Sequence, residues 1–243
     1  MTAWDSTTEA PKGAAGLEAS QHAEIAGILY EINTSQLFME AVNALFEERE
    51  QLSDEVLKHE VTELHKDIEK LLKIPKEEYT AYQELIANSY HVYVEAKQNN
   101  DFKSFCPYLE KIVDYNRKLT GYLATDTKKG YDVLLDRYEP DMTTKEYDAF
   151  FALIRDQIVP LAKEINDHPF TDDFSFGNLS FPIAKQKEFC EHLRDVMCVD
   201  KNFSIMRESE HPFTAGFGTD DVRITNHYHE HDFVSAIFSA IHE

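Results

Sequence analysis

The stretch Ile241-His242-Glu243 sets an imidazole and a carboxylate side by side on an apolar helical pattern. Residues four apart share a helix face, so a His-Glu-x-x-His string brings two imidazoles to one metal ion and puts its Glu beside the metal-bound water. Only the first two letters stand here, and the dipeptide alone also suits an ordinary surface terminus. A second grouping is Asp221-Val-Arg223-Ile-Thr225. Alternate residues of a strand face the same way, so Asp221 and Arg223 are placed for a cross-face ion pair. His211 precedes a proline, where it either caps a turn or lines a site. His227-x-His229-x-His231 has the form of a metal comb, since three alternate imidazoles on a strand converge. Glu230-His231-Asp232, however, falls where a helix should start, which breaks that period and leaves incidental metal binding. His168-Pro-Phe-Thr171 duplicates the later His211-Pro-Phe-Thr214 inside a loop.

These residues must be held by the elements before them. Residues 5 to 15 read as turn. Ile25, Ile28, Leu29 and Ile32 begin a helical period, which breaks at Asn33-Thr34-Ser35 and resumes with Leu37, Phe38, Val42, Leu45 and Phe46. From Glu47 to Lys73 a charged surface carries an apolar stripe, the pattern of a solvated amphipathic helix. Pro75 opens a helix to about Lys97, Asn99-Asn100-Asp101 opens another, and Tyr131 to Tyr138 is a short one stopped by Pro140. Thr143-Thr144-Lys145-Glu146 has the form of a capping box. Seven or eight helices are expected before residue 165. His168 to Pro182 reads as a long ordered loop, and 183 to 197 as helix. Phe203 to Met206 and Val222 to Thr225 read as strands flanking a turn at Ala215 to Asp220. Helical period returns from Glu230 through Phe233, Ile237, Phe238 and Ile241. The expected fold is mostly α: an elongated multi-helix array with a small β hairpin or sheet near residues 203–225. Residues 1–165 form its helical region, and 166–243 hold the loop, a helix, the β element and the start of the last helix.

Composition narrows the function classes. With 45 acidic and 24 basic residues the 243-residue chain carries a formal charge of −21, which suits neither nucleic acid nor an anionic membrane. Hydrophobic residues make up 42%, enough to build a core. No segment reaches the roughly 18 apolar residues of a membrane span. Cys106, Cys190 and Cys198 are odd in number and lack metal-ligand spacing, so we expect reduced thiols and a cytoplasmic location.

Several strings in register resemble one family. His211-Pro-Phe-Thr214, Asp221-Val-Arg-Ile-Thr225 and the helix running into His242-Glu243 follow in the order of the thermostable carboxypeptidase Taq family of zinc metallocarboxypeptidases. Trp4-Asp5 with Pro11-x-Gly13, Asn100-Asp101-Phe102, Tyr131-Asp132 with Leu134-Leu135-Asp136, Tyr138-Glu139-Pro140 and Phe181-Pro182-Ile183 also match its habits. The resemblance implies hydrolysis of the C-terminal residue of peptides by a zinc-activated water. It implies His242 as a zinc ligand and Glu243 as general base. Arg223 becomes a cation for the substrate's terminal carboxylate, Asp221 a holder of that Arg, and His211 a hydrogen-bond donor to substrate or oxyanion. The family does not place three His at 227 to 231. Its members are about twice this length and carry a second zinc His and a Glu ligand downstream, so we expect an incomplete catalytic domain, inactive alone. Its partners would be peptide C-termini and a missing C-terminal half or another chain, with a homodimer also open. On that expectation Ile237, Phe238 and Ile241 pack on the absent half. The competing expectation is a non-catalytic acidic helical interaction protein.

Overall fold

The computed structural model describes residues 2–168 and 179–243. The segment read as a long loop, His168 to Pro182, and the first His-Pro-Phe-Thr string lie largely outside those residues. The described chain holds ten α-helices and one three-stranded sheet. It forms two compact units, residues 13–164 and residues 1–12 with 165–243.

The first of these is all helical: α2 (Ala15–Asn33), α3 (Gln36–Glu47), α4 (Glu55–Leu72), α5 (Lys76–Gln98), α6 (Phe102–Tyr122), α7 (Tyr131–Leu135) and most of α8 (Thr144–Asp167). With α1 (Thr2–Thr8) in the other unit, eight helices start before residue 165; α2 to α8 answer to the periodicity, and α1 does not. Their starts are written in side chains. The Ser35 hydroxyl accepts from Phe38 N–H, Asp54 accepts from Val56 N–H at 2.9 Å, and Asp101 accepts from Ser104 N–H. Glu146 accepts from the Thr143 backbone N–H at 3.0 Å, the reciprocal half of the expected capping box. Small residues set how closely the helices approach. Ala19, Ala26 and Gly27 of α2 and Ser89 and Ala96 of α5 are buried, and a Cβ on Gly27 would stand 3.4 Å from Thr80 Cγ2. Tyr82 of α5 stacks on Tyr115 of α6 at 3.8 Å. Burial and the neighbouring Tyr82 and Glu78 push the Tyr115 hydroxyl up to about 12.

The other unit holds α1, α9 (Ile183–Val196), α10 (Phe233–His242) and the sheet of β1 (Ser204–Glu208), β2 (Thr214–Gly218) and β3 (Asp221–Asn226), in the order β1-β3-β2. β1 runs parallel to β3, and β2 antiparallel to it. Two expectations are corrected here. Of the stretch read as turn, residues 5–15, residues 5–8 belong to α1, whose Thr7 and Thr8 hydroxyls donate back to the carbonyl of buried Trp4. Residues 214–218 are a strand rather than turn. Thr-Ala-Gly-Phe-Gly has little intrinsic strand propensity, and its pairing with β3 supplies the order, with a bulge between Gly216 and Gly218.

The core of this unit gathers Cys190, Tyr228, Ala236 and Ala240, with Met206 against it. Buried Arg194 ties α9 to β1 by donating to the Ser204 carbonyl at 2.9 Å and hydroxyl at 2.7 Å. Fully buried Asn226 ties β3 to α10 by donating to the Ala236 carbonyl at 2.9 Å. Asp232 caps α10 by accepting from Ser235 N–H at 3.1 Å.

Candidate active site

Strand β3 carries the first piece of the site. Asp221 and Arg223 are two residues apart and meet on one face. Arg223 Nε and Nη2 donate to the two Asp221 oxygens, each at 2.9 Å, in a two-pronged fork. That pairing holds the Asp221 carboxyl below its ordinary range and the guanidinium above its own. The guanidinium also lies 4.7 Å from the Phe217 ring centroid and 5.8 Å from that of Trp4. Arg223 is therefore anchored by a carboxylate and flanked by two aromatic rings, with a fifth of its side chain open to solvent.

Strand β2 is stitched to β3 through the last letter of the Asp-x-Arg-x-Thr string. Thr225 is fully buried. Its hydroxyl accepts from Phe213 N–H at 2.8 Å and donates to the Phe213 carbonyl at 3.1 Å. Trp4 packs edge-on against Phe213, centroids 5.9 Å apart. The next residue, Thr214, donates its hydroxyl to a Glu243 side-chain oxygen at 2.8 Å and to the Glu243 main-chain oxygen at 2.9 Å. Four strings spread from residue 4 to residue 243 thus meet through named contacts along the paired strands β2 and β3.

Not every expected residue joins them. His211 is exposed, with its carbonyl accepting from the Ser209 hydroxyl at 2.8 Å. His242 is exposed at the end of α10. No hydrogen bond links either imidazole to Arg223, Asp221 or Glu243 among the described residues. Conversely, Trp4, Phe213, Thr214 and Thr225 carry the geometry of the site without being assigned a role from sequence. All four are letters of the matching strings, which is the signal that could have marked them.

The donor set bears on the metal. A catalytic zinc takes three protein ligands and a water. No group of three or more His, Cys, Asp or Glu side chains is placed to hold a metal ion among the described residues. Among the described residues His242 is therefore one ligand candidate, and they do not complete a zinc centre. A well-formed hollow of about 250 Å³ lies elsewhere, between α9 and α10, walled by Phe181, Phe189, Cys190, Phe233, Ala236 and Ile237. It is almost wholly apolar, none of the candidate residues lines it, and it offers nothing for hydrolysis. No helix among the described residues is long and apolar enough to cross a membrane.

Comparison with known proteins completes the picture. A family model described as carboxypeptidase Taq (M32) metallopeptidase matches residues 1–243. Carboxypeptidase 1 of Bacillus subtilis is 35% identical over 240 residues, covering 99% of this chain and 48% of that protein. Thermostable carboxypeptidase 1 of Thermus thermophilus is 27% identical over 254 residues, covering 100% of this chain and 49% of that protein. The crystal structure of BsuCP superposes with a TM-score of 0.93 at 34% identity, over 100% of this chain and 48% of its own. The chain spans about half the length of the relatives it matches. The strings that meet along β2 and β3 are thus carried by a chain that belongs to the carboxypeptidase Taq (M32) family of metallopeptidases.

Proposed function

We propose that residues 1–243 supply the substrate-carboxylate side and the first metal-site residues of a zinc metallocarboxypeptidase that releases the C-terminal residue of peptides. The observation that carries this reading is the contact of Thr214 with Glu243 on the strand paired to Arg223. It ties the carboxylate read as the proton acceptor to the strand pair that holds the Arg223 cation, because Thr214 pairs with Ile224, the neighbour of Arg223.

On this reading His242 would offer one imidazole nitrogen to the ion, which would supply Lewis-acid chemistry when bound. Glu243 takes a proton from the attacking water and later gives it to the leaving amine. Arg223 receives the terminal carboxylate, and Asp221 keeps the guanidinium planar to it and correctly aimed. His211 reaches substrate from the loop before β2. The remaining metal ligands come from outside residues 1–243, and the span 1–243 is one part of a catalytic domain that does not hydrolyse peptides by itself. The cellular setting is the cytoplasm, where Cys106, Cys190 and Cys198 stay reduced.

The test is a peptide-release assay with zinc, with and without chelator. The span 1–243 should give no chelator-sensitive release. Joined to the complementary half of Bacillus subtilis carboxypeptidase 1 it should give release that Glu243→Gln abolishes. Chelator-sensitive release by residues 1–243 alone, or activity of the joined protein indifferent to Glu243→Gln, refutes the assignment.

A further inference from the structure

The three-imidazole comb of the sequence resolves into a pair. His231 stands apart, its Nδ1 3.4 Å from the Leu179 carbonyl, while the rings of His227 and His229 lie with centroids 4.5 Å apart, inclined at 55°. We propose that His227 and His229 form a two-imidazole site for a late first-row divalent transition-metal ion, separate from the candidate catalytic centre.

Three features support it. First, the spacing fits a shared ion. A ring centroid stands about 3.2 Å from a metal bonded at about 2.0–2.1 Å, so two rings at roughly 90–110° on one ion lie about 4.5–5.2 Å apart. The observed separation falls at the short end of that range.

Second, the tautomer is fixed. His227 Nδ1 stands 2.8 Å from the Ser209 carbonyl, an oxygen that only accepts. The proton therefore sits on Nδ1 and leaves the Nε2 lone pair free, which is the outer-sphere arrangement that metal-binding histidines use.

Third, the backbone beneath the pair is held. His227 N–H donates to the buried Asn226 side chain at 2.9 Å. The His229 carbonyl accepts from the Gln186 amide at 2.8 Å and from Asp232 N–H at 3.1 Å. Between them Tyr228 is buried in the core. Ordering the two rings thus costs little further entropy. With no third side chain among the described residues in place, water completes the shell. The chain's formal charge of −21 attracts any cation, but imidazole nitrogen selects among them: it favours copper, nickel and zinc over magnesium and calcium.

The experiment is calorimetric titration of the tag-free span 1–243 with Ni²⁺, Cu²⁺ and Mg²⁺ in a non-coordinating buffer. One equivalent of Ni²⁺ should bind, Cu²⁺ more tightly, and excess Mg²⁺ should not compete. His229→Gln, at an exposed position that leaves folding intact, should weaken Ni²⁺ about tenfold or more. His227→Gln should do the same, with circular dichroism reporting its fold. His231→Gln and His242→Gln should leave the affinity unchanged. The inference is overturned by the absence of saturable Ni²⁺ or Cu²⁺ binding up to about 1 mM. It is equally overturned if the loss follows His231 or His242, or if Mg²⁺ competes on equal terms. Because His242 is one arm of the titration, this result stands or falls apart from the peptidase assignment.

Discussion

Thr225 is where a single oxygen joins two strands, and replacing it isolates that oxygen's contribution. Thr225→Val keeps the shape of a fully buried side chain and deletes the hydroxyl. The Phe213 carbonyl keeps a partner, because Thr225 N–H donates to it at 2.9 Å. Phe213 N–H loses its acceptor. An orphaned buried donor costs about 1–3 kcal/mol, and the half-buried setting of Phe213 puts the cost near the lower end, about 1–2 kcal/mol. With a urea slope of about 2 kcal/mol per molar, the midpoint should fall by roughly 0.5–1 M. The chain supplies its own probe. Trp4 is its single tryptophan, buried and edge-on to Phe213, so its emission follows this junction. Thr225→Ser keeps the oxygen but deletes a methyl, which costs about 0.8 kcal/mol by lost burial. The midpoint alone therefore does not separate the two variants, but exchange of the Phe213 amide does: protected in Thr225→Ser, fast in Thr225→Val. Equal protection of that amide in both variants would refute the reasoning.

Three more outcomes are open to measurement. Arg223→Ala should abolish the preference of the chain for a short peptide with a free C-terminal carboxylate over its C-terminal amide, and Asp221→Asn should weaken it with the urea midpoint unmoved. Equal binding of carboxylate and amide by the unaltered chain would remove Arg223 from the site. Asp136 gives an acid limb to stability in the 13–164 unit. Burial alone would raise its carboxyl, but Asp141 N–H, Lys128 and Lys70 outweigh that and bring it from 3.8 to about 2. A depressed folded value means that the stabilisation is complete above about pH 4 and is lost as pH falls toward 2, an amount of about 2 kcal/mol that Asp136→Asn should remove at pH 7 and not at pH 2. Finally, Phe150, Phe151, Phe238 and Ile241 are all more than two-fifths exposed, so the chain should enhance the fluorescence of an apolar-surface dye, and Phe238→Ser should lower the signal.

The helices were legible through their apolar period, and several also announce their own starts. Ser35, Asp54, Asp101 and Asp232 are polar residues that serve their own neighbouring N–H groups, a purely local arrangement that a sequence displays directly. What stayed hidden was order imposed from a distance. Residues 2–8 and 214–218 lack a local pattern: the first packs on Phe213, far away in sequence, and the second takes its order from tertiary pairing with β3. The same division runs through the candidate site. Asp221 and Arg223 could be paired from spacing alone, since two residues along a strand is one step on a face. Thr214 and Glu243 are 29 residues apart, and nothing short of the fold joins them.

That division explains why motif letters with no evident chemistry matter here. Trp4, Phe213 and Thr225 bear none of the groups proposed to act on a peptide, yet their contacts link the segments that carry those groups. Phe213 receives the Trp4 edge on one side and the Thr225 hydroxyl on its backbone, and the residue after it touches Glu243. The Arg223 guanidinium lies over the same Trp4 ring. A side chain that forms no bond to substrate can thus fix two that would, by setting the register of β2 on β3 and the place of α10 against them. In a protein held by such contacts, a change at Thr225 should move Arg223 and Glu243 together, whereas a change at Asp221 should move Arg223 alone.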